Sequence, residues 1–233
     1  MLSIITINKD NRVGLQKTID SLKSLGERNY QWVCIDSVST DGSVELANQF
    51  KTQNDVVVSE KDAGIYNAMN KGISLAIGDY VLFLNSGDTL SPKIQSLDFM
   101  KSVAGYELAL FGFEIRNTLR KPRSNSWRFW SMPTSHQAIV YSSELLKKNS
   151  FDESYRFAAD FEHYLRINRA PLAIYSDDRP LIVNEPYGSD AHLQVLLGEY
   201  RHALIKNGYP KLWAHFVYWL KTHYLKWALR ERS

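Results

Sequence analysis

The stretch that most constrains this chain runs from Glu60 to Asp88, EKDAGIYNAMNKGISLAIGDYVLFLNSGD. Ile65, Met69, Ile73 and Ile77 recur at i, i+4, i+8 and i+12, the apolar stripe of a helix. Gly78 follows where that helix must stop. Tyr80 to Leu84 is then a continuous apolar run of strand length, as a strand covered on both faces requires. Asn85, Ser86, Gly87 and Asp88 break it with turn-forming residues. Ligands of open α/β sheets collect beyond the carboxyl ends of strands, so Asp88 is a site candidate on position alone.

The residues before this stretch repeat its grammar. Leu2 to Ile7 reads as a strand, Leu15, Ile19, Leu22 and Leu25 as a helical stripe closed by Gly26, and Gln31 to Ile35 as a second strand. That strand ends in Asp36-Ser-Val-Ser-Thr-Asp-Gly-Ser43, after which Val44, Ala47 and Phe50 suggest a helix and Val56 to Val58 a third strand. Strand and helix alternate through the first ninety residues, which implies parallel strands with right-handed crossovers. Acidic loops follow two of these strands, at Asp36 and Asp88. Neither GxGxxG nor GxxxxGK[ST] occurs, so this is an α/β nucleotide-binding layout without a glycine-rich phosphate loop.

Further on, Ser91-Pro92 reads as a helix start, Leu108 to Phe113 as a strand, and His136-Gln137 as the lead into a strand at Ala138 to Tyr141. Phe157-Ala-Ala-Asp160 opens a helix, Leu172 to Tyr175 and Pro180 to Val183 are short strands, and two helices close the chain at 191–206 and 212–230. The 233 residues suffice for one domain with a sizeable core, and 44% hydrophobic content is ordinary for a soluble globular protein. The single cysteine, Cys34, lies in an apolar run and is expected to be a buried structural thiol in a reducing compartment. MLSIITIN lacks the basic start and cleavage site of a signal peptide, and no apolar run reaches the length of about 18 residues that a membrane-spanning helix needs.

Six blocks, in order, resemble the family 2 glycosyltransferases, in particular small bacterial enzymes of surface polysaccharide (O-antigen, capsule or exopolysaccharide) synthesis. They are Ser3 to Asn8, Ile35 to Ser43, Asp62 to Gly72, Gly78 to Asp88, His136-Gln137, and Ala158 to Arg166. The resemblance implies a GT-A fold, a Rossmann-like and mostly parallel sheet with flanking helices, followed here by C-terminal amphipathic helices. It further implies a nucleotide-sugar donor, a divalent metal (Mn2+ or Mg2+) and transfer with inversion. The expected division is a glycosyltransferase domain over 1–190, with a donor half (1–90) and an acceptor half (91–190), and a helical extension over 191–233.

On the same resemblance, Asp36 contacts the nucleoside, Asp88 holds the metal and Asp160 is the catalytic base. Physical chemistry supports each role beside a plainer one. Asp41 serves the donor or caps a helix, Asp160 accepts a proton or caps one, and Asn85 to Asp88 form a site or a plain turn. Asn85, Ser86 and Gly87 stand where further acids often occur, so Asp88 is the lone metal carboxylate; with phosphates and water that suffices for a hard cation. Thr6, Asn8, Asp62, Asn67, Lys71, His136 and Gln137 complete the donor set. Glu162 is the second candidate base.

Residues 211–233 hold five Lys or Arg against one Glu, a balance of +4 that leaves the other 210 residues at −1. Trp213, Phe216, Val217, Leu220, Tyr224 and Trp227 form a helical stripe among these charges, the composition of an interfacial membrane helix or of a helix packed on the domain. The expected partners are therefore a nucleotide sugar, a glycan or polyprenyl-linked acceptor and a membrane surface, with the body of the protein in the cytoplasm. A short positive patch on a neutral body argues against nucleic acid. The alternatives are a non-catalytic nucleotide-sugar-binding partner and a nucleotidyltransferase, for which Asn8 to Asn11 lacks the Gly-rich basic loop.

Overall fold

A computed structural model describes residues 1–186 and 193–230. The first half alternates as the apolar periods require: β1 (Leu2–Asn8), α1 (Arg12–Lys23), β2 (Tyr30–Asp36), α2 (Ser43–Phe50), β3 (Val56–Ser59), α3 (Ile65–Leu75) and β4 (Tyr80–Phe83). These strands lie parallel in the order β3-β2-β1-β4, with Leu2 opposite both Tyr30 and Tyr80. Continuous apolar runs follow from burial on both faces. Ile4, Trp32, Cys34 and Leu82 pack under α1 and α2, while Ile5, Val33, Val81 and Phe83 pack under α3. Cys34 is fully buried, and burial pushes its thiol far above the ordinary range, so it is an inert core residue.

The second half adds β5 (Thr89–Leu90), α4 (Met100–Val103), β6 (Leu108–Ile115), β7 (Thr118–Arg120), a 3-10 turn at His136–Ala138, β8 (Ile139–Ser142), α5 (Ser143–Lys148), α6 (Ala159–Ile167) and β9 (Ile174–Val183). The full order is β3-β2-β1-β4-β8-β6-β9-β5, with β7 on β6; β8 runs antiparallel between β4 and β6, and β9 is parallel to β6. The sheet thus keeps a large cleft at the carboxyl ends of β1 and β4. Helices α7 (Leu193–Lys206) and α8 (Lys211–Arg230) close the described chain, and Ala203, Leu204, Ala214 and Val217 join the core cluster that also holds the inner face of α6.

Several boundaries differ from the sequence reading for identifiable reasons. Helix α3 ends at Leu75, leaving Ile77 64% exposed outside the stripe. Gly78 does not cap that helix. It lets the chain pass β1, because a Cβ there would lie 2.7 Å from the Ser3 amide nitrogen and 2.8 Å from the Met1 carbonyl. No helix starts at Ser91: its amide donates to the Leu181 carbonyl (2.9 Å), which ties the segment to β9, and Ile94 closes a turn on the Ser91 carbonyl (2.8 Å). The two short strands expected over 172–183 are the single strand β9, whose register shifts against Phe111 and Gly112. The basic segment after β6 turns back as a hairpin, with Arg116 and Asn117 in the left-handed region (φ 49° and 58°). The expected helix start at 191 lies outside the described residues.

Candidate active site

The cleft has a volume of about 1640 Å³ and brings together seven of the residues marked in the sequence: Asn67, Asn85, Ser86, Asp88, His136, Gln137 and Asp160. A site for one drug-sized molecule occupies roughly 300–1,000 Å³, so this cleft has room for a donor and an acceptor together.

Asp88 sits just past β4, 6% exposed. Its Oδ1 accepts from the Glu185 amide (2.8 Å) and Asn184 Nδ2 (3.1 Å), both at the end of β9, while Oδ2 takes no hydrogen bond from the described residues. Burial, joined by the negative charge of Glu185, outweighs those bonds and pushes the carboxyl up to about 6. Helix α1 holds the loop beneath it. Thr18 Oγ1 donates to the Asp88 carbonyl (2.8 Å) and accepts from the Gly87 amide (3.0 Å), and Asn11 Nδ2 donates to the Ser86 carbonyl (3.2 Å). Gly87 (φ +105°) takes a backbone conformation that L side chains rarely adopt, which favours glycine there. Asn85 Oδ1 is buried without a partner. An unpartnered amide oxygen and a carboxylate in one loop of the cleft are donor types suited to a hard divalent cation. Among the described residues no cluster of three His, Cys, Asp or Glu can hold a metal, so phosphate and water oxygens would supply the remaining ligands.

Asp160 is the second residue of α6, whose N-cap residue Ala158 makes no side-chain cap bond, and the segment leading into the helix is fixed by α7. Glu199 on α7 accepts from the Arg156, Phe157 and Ala158 amides at 2.8, 2.8 and 2.9 Å. Asp160 lines the cleft. Its Oδ1 accepts from Tyr66 Oη (3.1 Å) and the Phe161 amide (2.8 Å), and its Oδ2 bonds to no other described residue. Burial raises this carboxyl to about 6, with the Phe161 and Tyr66 hydrogen bonds opposing and Glu199 adding to the rise. A carboxyl tuned toward neutrality and open on one oxygen is suited to accept a proton. Glu162 points the other way, fully buried against Arg166 (3.2 Å) and Lys206 (3.5 Å), and is structural.

His136 is buried, lies 4.8 Å from the Phe83 ring and leaves Nε2 without a partner; burial pulls it down to about 4, so it is neutral. Gln137 accepts from Ser135 Oγ (2.7 Å). Asn67 Nδ2 donates to Glu153 (2.9 Å) on the cleft wall.

The other marked residues do not line the cleft. Thr6 is in the core, its Oγ1 accepting from Trp32 Nε1 (2.9 Å). Asp36 is 1% exposed, and its roughly four acceptor positions are filled by Asn8 Nδ2 (2.8 Å), the Ser39 hydroxyl (2.5 Å) and amide (2.8 Å), and the Ser59 hydroxyl (2.9 Å). Burial disfavours its charge, but these bonds outweigh burial and hold it below the ordinary carboxylate range. A nucleoside reaches Asp36 only if a hydroxyl turns away. Asp41 caps, accepting from the Arg12 and Ser43 amides (2.7 and 3.1 Å). Asp62 and Glu60 hold Lys71 at 2.6 and 2.7 Å and secure the entry to α3.

Tyr66, Glu185 and Glu199 escaped sequence reasoning. Tyr66 lies within the block Asp62 to Gly72, so its neighbours signalled it; Glu199 carries no local signal, because its role exists only where α7 meets α6.

Comparison with known proteins places the chain in a family. The profile described as "Glycosyl transferase family 2" matches residues 3–160. A PGL/p-HBAD biosynthesis glycosyltransferase of Mycobacterium bovis is 32% identical over 188 residues, 75% of this chain and 72% of that protein. Among solved structures, S. aureus TarS residues 1–349 superposes with a TM-score of 0.66 at 16% identity, over 93% of this chain and 69% of that one. Glucosyl-3-phosphoglycerate synthase from Mycobacterium tuberculosis superposes with a TM-score of 0.64 at 17% identity, over 90% and 80%. The chain belongs to glycosyl transferase family 2 and is a glycosyltransferase of the GT-A fold.

Proposed function

We propose that this enzyme moves one sugar, with inversion, from a nucleoside-diphosphate sugar, a UDP-sugar in the first instance, to a growing glycan. The acceptor is carried on a polyprenyl lipid at the inner face of the cytoplasmic membrane, in surface polysaccharide synthesis. The carrying observation is one cleft with two carboxylates in separate settings, Asp88 past the end of β4 and Asp160 in the first turn of α6. TarS has been solved with UDP and with UDP-GlcNAc, and the glucosyl-3-phosphoglycerate synthase with Mn2+ and UDP-glucose, which supports the donor and metal classes.

In this reading residues 1–90 form the donor half and 91–190 the acceptor half. Asp88 and Asn85 would hold Mn2+ or Mg2+, which when bound supplies positive charge to the donor diphosphate. Asn67, Ser86, His136 and Gln137 line the donor's path. Asp160 Oδ2 takes the proton of the acceptor hydroxyl as that oxygen attacks the anomeric carbon. The bond from the anomeric carbon to the diphosphate oxygen breaks, and the nucleoside diphosphate leaves with the electron pair. Attack opposite the leaving group inverts the centre. A panel of UDP- and GDP-sugars with Mn2+ tests the donor class by thermal shift. The cognate donor at about 100 Kd stabilises by roughly 2.7 kcal/mol, and a panel with no donor-dependent rise in Tm would refute it.

Tyr66 tunes the base. Its hydroxyl stabilises the charged carboxylate of Asp160, so Tyr66→Phe raises the Asp160 pKa and moves the acid limb of the kcat profile above pH 6. The KM for donor stays unchanged. An unshifted limb would show that Tyr66 acts only in packing.

A further inference from the structure

Helix α8 presents two stripes rather than one. Ala214, Val217, Tyr218, Lys221 and Leu225 turn inward. Lys221 Nζ donates to the Trp130 carbonyl (2.6 Å) and lies 3.9 Å from the centre of the Tyr200 ring; burial pulls it down to about 7. Leu212, Phe216, Trp219, Leu220 and His223, at i, i+4, i+7, i+8 and i+11, face outward. Leu212 is 88% exposed and Trp219 54%. Of the stripe marked in the sequence, Trp213, Phe216, Leu220 and Tyr224 are exposed, Val217 belongs to the core, and the side chain of Trp227 lies outside the described residues. Trp213 carries the outer face onto the neighbouring loop through Phe129 (5.7 Å), which lies 5.9 Å from the exposed Trp127.

We infer that this outward face of α8 docks in the plane of an anionic lipid bilayer, with the acceptor end of the cleft held at its surface. The inference rests on the lipid-linked acceptor proposed above. Charge complementarity selects the occupant. Apart from the inward Lys221, residues 211–230 contain three Lys or Arg and no Asp or Glu, so a symmetric pair of these helices would set cation against cation, whereas acidic headgroups match them. The exposed set mixes Phe and Leu with Trp and His, rings that place an apolar body beside a polar atom, as the headgroup boundary favours. Among the described residues no helix is long and apolar enough to cross a membrane, so α8 lies along the surface. Tyr224 and Leu225 of the same helix line the cleft, so a bilayer under α8 brings a lipid-borne sugar to the cleft mouth.

The test is flotation of the full chain with vesicles of equal parts phosphatidylglycerol and phosphatidylcholine, and with phosphatidylcholine alone. Wild type floats with the anionic vesicles and is released by salt. Phe216→Glu combined with Trp219→Glu weakens binding by at least about tenfold and leaves UDP-sugar hydrolysis in solution unchanged. Undiminished flotation of the double variant overturns the docking face. So does a wild-type dimer in light scattering that the variant dissolves, since a second copy would then be the occupant. If flotation behaves as expected while a lipid-free acceptor is used as fast as a lipid-linked one, the docking face stands and the lipid-linked acceptor falls.

Discussion

Asp160→Asn should lower kcat for sugar transfer by about a thousandfold, the middle of the range for loss of a general base, while donor affinity stays within twofold. Asparagine keeps the shape of the side chain and an oxygen for the Tyr66 hydroxyl and the Phe161 amide, so the site is preserved except for its basicity. Wild-type kcat should fall as pH drops through about 6, where the carboxylate protonates. Stability should move the other way. A carboxyl whose folded pKa is raised binds more protons folded than unfolded, so its contribution is favourable below pH 4 and is lost as pH rises through about 6. At pH 7 the variant should therefore melt at or above the wild-type temperature, and the difference should vanish below pH 4. Full activity in Asp160→Asn, measured by release of nucleoside diphosphate, would remove Asp160 from the mechanism.

Asp88→Asn should abolish the metal dependence of donor binding. Titration calorimetry of UDP in Mn2+ and in EDTA should give wild-type dissociation constants that differ by at least about tenfold, as one hard-cation ligand charge warrants. The variant should give the same constant in both. Asparagine still offers Oδ1 to the Glu185 amide, so the junction of β4 and β9 survives and the loss is electrostatic. An undiminished Mn2+ effect in the variant would mean that the cation is held elsewhere.

Legibility in the sequence followed the range of the interactions. Strands β1, β2 and β4 were readable because burial on both faces writes a continuous apolar run. The positions of Asp88 and Asp160, one past a strand and one opening a helix, were readable from the same local pattern. Three features were not. The hold of Glu199 on the segment leading into α6, the shelter of Asp88 by Asn184 and Glu185, and the saturation of Asp36 by Ser39 and Ser59 join elements distant along the chain or depend on side-chain direction. Two local rules also misled. Gly78 looked like a helix stop but serves a close approach to β1, and Ser91-Pro92 looked like a cap but is drawn to the sheet edge.

The stretch from Glu60 to Asp88 by itself determined a helix, a doubly buried strand and an acid at the strand's end, because hydrophobic period and turn chemistry are local. Tertiary structure decided what that acid can do. It gave Asp88 an unpartnered amide oxygen at Asn85 and a raised pKa, and it carried Tyr66 of α3 across 94 residues to Asp160. Burial and hydrogen-bond partnership set a carboxyl's charge, and both are properties of the packed chain.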